Sequence, residues 1–442
     1  MPRGSAYGFA LAVTAFAAAL GQQRPVTVPA RSLRGYNVPI VSLSLGTAGP
    51  RLAVLDTGSP LLWLPAATKA SVTTPAAQAT PCPADLAFIP PADAPVTATG
   101  ITFAYGGGYI EGPGYNLTLS LAEVGGGVWA TGNVQAVSAT TVGLGCDVGI
   151  LGVDQSSVTL PRVFAAHGLP SILTVNLACP AVPAVRGQLG SAGNVTFGGV
   201  GTAQLGGRAL QSVPLLPVEH RIRAQGRNPQ GEVPTFTRWW QFGLTSVAVG
   251  DVVTDRAGGA SGELQGIADT GTSMIMAGPG NGFTSLCGVA RDCSNFSALQ
   301  PLTFSLAGGA TATLTPADYV IRDSPTSCVS QVHTLDDIPA GFVVLGDPFF
   351  WKHTVVFDSA NGGQVRFAER EVSGACSSPD TPTSGGSHGG SHGSEKPSAG
   401  DDVGMTVGAL AVIAIVAVIG MYIYRSKEAA RHSAGFFGGD EV

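Results

Sequence analysis

The amino-acid sequence predicts an all-β fold in two lobes, with a single transmembrane helix near the C-terminus. Three observations carry this. Runs at 40–45, 52–55, 101–105, 115–122, 242–249 and 354–357 are short, rich in apolar and β-branched residues, and bounded by Gly, Pro, Asn or Asp. Charged side chains make up 12% of the 442 residues, against about 25% in an average soluble protein, while Gly numbers 62 and Pro 31. That composition excludes a coiled coil, a helical array or an acidic solvating tail. Finally, the tetrad Asp-Thr-Gly-Ser at 56–59 returns as Asp-Thr-Gly-Thr at 269–272, 213 residues later. Each half of the chain therefore carries one copy.

The segments follow in order. Arg3 precedes an apolar run over 9–20, and Ala19 and Gly21 fit a cleavage site after Gly21, so residues 1–21 read as a signal peptide. Residues 22–205 form the first β lobe and residues 206–376 the second, with short helices fitting 163–167 and 281–289. Ser, Thr, Gly and Pro fill 377–402, where Gly-Gly-Ser-His-Gly repeats. Nothing there can bury a core, so this is a flexible stalk. Residues 403–424 hold no charge across 22 positions, enough to span a bilayer, and Arg425, Lys427 and Arg431 follow at once. Cations on the cytosolic side make this a single-pass type I membrane protein. Its lobes are luminal or extracellular, in the secretory or endolysosomal pathway or at the cell surface, and 425–442 is a cytoplasmic tail. The two apolar ends help raise the mean hydropathy to +0.27. A net charge of −6 lacks the basic footprint that nucleic acid requires, so no such partner is expected.

The chemistry lies in the doubled tetrad. One Asp-Thr-Gly at a strand end makes an ordinary Asx turn; two copies that divide the chain evenly ask for more. Asp56 and Asp269, brought together across a pseudo-two-fold axis, cannot both ionise, because like charges in contact repel and the pair shares one proton. The ionised member can take a proton from a water held between them while the protonated member polarises a carbonyl. Gly58 and Gly271 allow a tight turn and offer N–H groups to the carboxylates. Thr57 and Thr270 can bond across to the opposite lobe. Ser59 and Thr272 can donate to the outer carboxylate oxygens. No His-Glu-x-x-His or Cys-x-x-Cys pattern is present. His388 and His392 lie on a coil with no scaffold, so neither a metal nor a cofactor is expected.

Across residues 36–367 the chain resembles the pepsin-like (A1) aspartic proteases, and among them the membrane-anchored type. Residues 103–112 resemble that family's flap hairpin. Tyr105 and Gly106 match the part that closes over substrate, and Trp63 matches the tryptophan that supports the flap tyrosine. Residues 149–152 and 343–347 match the two apolar-Gly segments that thread behind the active loops. Gly107 stands where the flap usually has Ser or Thr, and Pro60 where a small polar residue is usual. The resemblance implies an aspartic endopeptidase with Asp56 and Asp269 as catalytic residues, acting on polypeptides without a cofactor. Proton sharing is the general behaviour of this family's dyads rather than a deduction special to this chain. A catalytically silent relative that uses the same cleft as a binding module is the alternative. Arg24, Arg31 and Arg34 read as the remnant of the longer basic prosegment of secreted relatives.

Seven cysteines in a luminal chain imply disulfides with one left over. The resemblance implies a Cys293–Cys328 loop in the second lobe and a Cys179–Cys376 bridge tying the C-terminus to the first. Of Cys82, Cys146 and Cys287 at most two can pair, which leaves either a buried thiol or an intermolecular bridge. Asn116, Asn194 and Asn295 head sequons and are candidate glycosylation sites in a lumen. The expected partners are a polypeptide substrate and the membrane, the latter through one C-terminal span of a monomeric chain.

Overall fold

Two patterns of apolar residues build two kinds of strand. Leu302–Leu306 buries alternate side chains, as does its hairpin partner Thr311–Leu314, which suits a sheet covered on one face. Gly149–Gly152, Leu264–Ala268 and Phe342–Leu345 are buried at every position. Their continuous apolar runs reflect parallel pairs covered on both faces: Arg51–Asp56 beside Gly149–Gly152, and Leu264–Ala268 beside Phe342–Leu345. The computed structural model describes residues 24–370 apart from 34–35, 67–86, 106–107, 125–127, 140, 143–147, 158, 180–188, 202–204, 222–238, 258–263, 325, 337 and 361.

The protein is mostly β and bilobal. Among the described residues the strands form a 14-stranded sheet, an 8-stranded sheet and a two-stranded ribbon of Val320–Ser324 with Ser327–Ser330. The larger sheet is not drawn from the first half of the chain alone. His353–Asp358 pairs with Ile172–Leu177, Gln364–Glu369 pairs with His353–Asp358, and Gln211–Pro214 adds to the edge. Strands from the second half thus complete the first lobe's sheet, and one apolar core runs through both. Helix Thr159–His167 buries Leu160, Val163 and Phe164, and Phe283–Leu286 is a single turn. Both lie where short helices are expected.

The basic segment before residue 36 enters the large sheet. Val26–Leu33 is a strand between Leu189–Phe197 and Tyr36–Leu45, with Val26, Val28 and Ala30 buried. Its period-two apolar pattern makes it part of the sheet. Arg24 is exposed and pairs with Glu123 at 3.1 Å. Arg34 lies outside the described residues.

Cys293 and Cys328 form the expected disulfide, closing a separation of 35 residues. Cys179 is also disulfide-bonded; Cys376, Cys82 and Cys146 lie outside the described residues. Cys287 is free and buried. Of the candidate sequons, Asn194 sits mid-ladder, opposite Pro29 on one side and Asn176 on the other. Asn116 is half-buried on Gly108–Ala122. Asn295 holds its own loop, accepting from Ala290 N–H at 2.6 Å and donating to Gly288 O at 3.1 Å. Among the described residues no helix is long and apolar enough to cross a membrane. The expected signal peptide 1–21, stalk 377–402, span 403–424 and tail 425–442 all lie outside them.

Burial pushes the Cys287 thiol up to about 12, against the Tyr319 hydroxyl that lowers it. Thiolate is the reacting species, so Cys287 should resist alkylation at pH 8 in the folded protein. Peptide mapping after iodoacetamide treatment should find it labelled only once the protein is unfolded.

Candidate active site

Both Asp motifs sit where a strand of a buried parallel pair ends. Asp56 closes Arg51–Asp56, and Asp269 follows Leu264–Ala268. The neighbouring parallel strand then braces each turn. Val153 N–H donates to Asp56 O at 2.8 Å and Asp154 N–H to Ser59 O at 3.0 Å. In the second lobe Asp269 N–H donates to Leu345 O at 3.0 Å and Asp347 N–H to Thr272 O at 2.9 Å.

Within each loop the donors repeat position for position. Gly58 N–H donates to Asp56 Oδ1 at 2.8 Å and Ser59 Oγ to Asp56 Oδ2 at 2.5 Å. Gly271 N–H donates to Asp269 Oδ1 at 2.8 Å and Thr272 Oγ1 to Asp269 Oδ2 at 2.6 Å. The threonines then lock the loops to each other. Thr57 N–H donates to Thr270 Oγ1 at 3.1 Å, and Thr270 Oγ1 donates to Leu55 O at 2.6 Å. Reciprocally, Thr270 N–H donates to Thr57 Oγ1 at 2.9 Å, and Thr57 Oγ1 donates to Ala268 O at 3.0 Å. Each hydroxyl is both acceptor and donor, so no buried polar atom of the exchange is left over.

This lock presses the carboxyls against the opposite glycines. A Cβ on Gly58 would sit 2.7 Å from the Asp269 carboxyl, and one on Gly271 would sit 2.5 Å from Asp56 Oδ1. Only glycine fits either place. Asp56 is 7% exposed and Asp269 1%. Burial raises Asp56 above the usual carboxylate range, while bonds from Ser59, Gly58 and Asp269 pull it back. Burial, joined by the Asp56 charge, raises Asp269 well above that range. Both carboxyls are thus held above the ordinary range, and the pair titrates as one coupled unit.

Two buried carboxyls now face each other across the lobes, an arrangement that can activate water against a polarised carbonyl. A family model for eukaryotic aspartyl proteases matches residues 40–370. The chain belongs to that family. It is an aspartic endopeptidase. Cathepsin E from Rattus norvegicus is 28% identical over 362 residues, covering 74% of this chain and 81% of that protein. Cathepsin D from Dictyostelium discoideum is 27% identical, covering 74% and 82% respectively. Among solved structures, an aspartic proteinase from Irpex lacteus superposes with a TM-score of 0.59 at 18% identity. It covers 80% of this chain and all of that one, a likeness of fold.

The protease's other sequence-named residues fall as follows. Val96–Tyr105 and Gly108–Ala122 form an antiparallel hairpin with Tyr105 opposite Gly108. Gly106 and the Tyr105 side chain lie outside the described residues. Trp63 is fully buried among Ile110, Val137, Ala139 and Ile150, at the base of that hairpin. Among the described residues no group of three or more His, Cys, Asp or Glu could hold a metal ion.

Two further carboxyls went unassigned in the sequence. Asp154 and Asp347 occupy the turns that brace the two loops, and both are buried. Asp154 Oδ1 accepts from Ser156 N–H at 2.7 Å and Ser156 Oγ at 2.8 Å, but its Oδ2 and both oxygens of Asp347 have no partner. Burial and then the Asp269 charge push Asp347 well above the carboxylate range. Burial is also the main force that takes Asp154 up to about 8; Ser156 opposes it and the Asp56 charge adds to it. The only signal was position, one or two residues beyond each apolar-Gly run.

Between about pH 4 and pH 8, an unfolded Asp154 is ionised while the folded one keeps its proton. The folded state then binds more protons, so stability falls as pH rises. Asp154→Asn keeps an acceptor for Ser156 and removes this titration. Its melting temperature should fall less steeply over that window, the two stabilities diverging by up to about 1.4 kcal/mol per pH unit. Parallel stability curves would show that Asp154 is already ionised in the fold.

Proposed function

We propose that this protease cleaves extended polypeptides by a water activated between Asp56 and Asp269, with its lobes on the luminal or extracellular side of a membrane. The observation that carries the reading is the contact between two buried carboxyls whose environments differ enough to favour one proton between them. Asp56, ionised, takes a proton from the bound water as its oxygen adds to the scissile carbonyl carbon. Asp269, protonated, hydrogen-bonds the carbonyl oxygen and gives up its proton as the tetrahedral diol forms. Collapse of the diol breaks the C–N bond: the proton gained by Asp56 passes to the leaving nitrogen, and a diol hydroxyl returns its proton to Asp269 as the new carbonyl forms. No bond to the enzyme forms at any stage.

The support residues follow from this chemistry. Thr57, Gly58, Ser59, Thr270, Gly271 and Thr272 hold the carboxyls in register, so that little reorganisation is needed in the transition state. The hairpin bearing Tyr105 and Gly106, backed by Trp63, is the element that closes over substrate. Residues 1–21, the charge-free run 403–424 and the cations after it support entry into the secretory pathway and anchoring by one span. In that compartment the Cys179–Cys376 bridge and glycans on Asn116, Asn194 or Asn295 can form.

The test is peptide cleavage by the full-length protein in detergent micelles across pH 3–7, beside Asp56→Asn and Asp269→Asn. Each substitution should lower kcat by about a thousandfold or more. Activity surviving either one would remove the dyad assignment. A folded wild-type protein that cleaves nothing at any pH would favour the binding-module alternative.

A further inference from the structure

Two consecutive tryptophans of the second lobe reach into the first. Trp239 is 3% exposed and donates its indole N–H to Gly58 O at 2.8 Å. Trp240 is 1% exposed and donates its own to Val153 O at 3.2 Å. Neighbours in extended chain face opposite ways. Trp239 packs on Phe342 with ring centroids 5.9 Å apart, in a cluster with Ile267, Met276, Ile338 and Val344. Trp240 packs on Phe357 at 5.0 Å in the main core. The two bonds reach different parts of the first lobe, and only the Trp239 bond is on the residue whose N–H holds the Asp56 carboxylate. Gly58 belongs to the Asp56 loop, and Val153 donates its N–H to the Asp56 carbonyl.

We propose that Trp239 is a positioning residue for Asp56, holding Gly58 from the opposite lobe so that the Gly58 N–H stays on the Asp56 carboxylate. This rests on Asp56 being the base of the reaction. Glycine has the loosest backbone of any residue, and its freedom must be removed if its N–H is to point one way. Asp56 Oδ1 holds the N–H side of Gly58, and Trp239 holds the C=O side. Without the indole, a buried carbonyl would lack its partner and the residue would turn to find another. The strut serves the loop of the aspartate that ionises in the proposed mechanism.

The groups facing Asp56 make that service matter. Asp269 confronts it from the second loop and Asp154 lies behind it in the bracing turn; both are acidic. Its hydrogen-bond donors, rather than a neighbouring cation, stabilise the charge. Losing one makes Asp56 harder to ionise.

The experiment measures kcat and KM of the full-length protein across pH 3–7 for wild type, Trp239→Phe and Trp240→Phe, with thermal unfolding of each. Phe keeps an aromatic ring and removes the N–H. Trp239→Phe should hold KM within about twofold, lose kcat by about ten- to a hundredfold, and shift the acid limb of the profile to higher pH. Trp240→Phe should lower the melting temperature and leave the acid limb in place. If Trp239→Phe does not fold, 3-benzothienylalanine at position 239 keeps the bicyclic shape without the N–H and should give the same shift. An acid limb at the wild-type pH in a folded Trp239 variant would overturn the proposal. If the wild type itself cleaves nothing, the proposed mechanism fails separately. The positioning role then reads out in unfolding: the pH-dependent gap between wild type and Trp239→Phe should vanish in an Asp56→Asn background. A gap that persists there would overturn it.

Discussion

Two carboxyl groups buried in contact can carry only one negative charge, and the remainder of the site is a response to that constraint. Left alone in a low-dielectric interior, both would protonate or move apart. Here neither can move. Each sits against the glycine of the other loop, where no Cβ fits, and the loops are joined by four threonine hydrogen bonds that run from lobe to lobe. Equal donors serve both carboxyls, and burial raises both above the ordinary range.

The same constraint explains why two lobes interleave their strands. A dyad assembled from separate halves is only as well placed as the joint between them. The joint here is built from backbone: His353–Asp358 and Gln364–Glu369, from the end of the described chain, pair into the first lobe's sheet. Side chains add to it, through the threonines and through Trp239 and Trp240. The buried Asp154 and Asp347 sit in the bracing turns with unpartnered oxygens, a stable arrangement only while both keep their protons. Burial raises both of them above the ordinary carboxylate range.

What could be read from sequence was local. In each tetrad the carboxylate, the N–H two residues on and the hydroxyl three residues on belong to one turn, so their roles follow from spacing. The threonine exchange follows from duplication, since two equal loops meeting on an axis must treat each other alike. The alternation of Val26, Val28 and Ala30 marks segment 26–33 as a half-buried strand, a pattern legible in the sequence beside the arginines at 24, 31 and 34. Trp239 and Trp240 were out of reach for another reason: their partners lie 181 and 87 residues away, and nothing in a pair of tryptophans names a carbonyl. The burial of Asp154 likewise depends on how the two sheets close, which no window of sequence contains.

The central claim is that one proton is held between Asp56 and Asp269. The most direct measurement is a carbon-13 NMR titration of labelled aspartate side chains, with Asp56→Asn and Asp269→Asn to assign the two resonances. The account predicts two separate steps for the pair, with a range of pH between them in which Asp56 is ionised and Asp269 is not. Both carboxyls ionising together in a single step, in the ordinary carboxylate range, would contradict it.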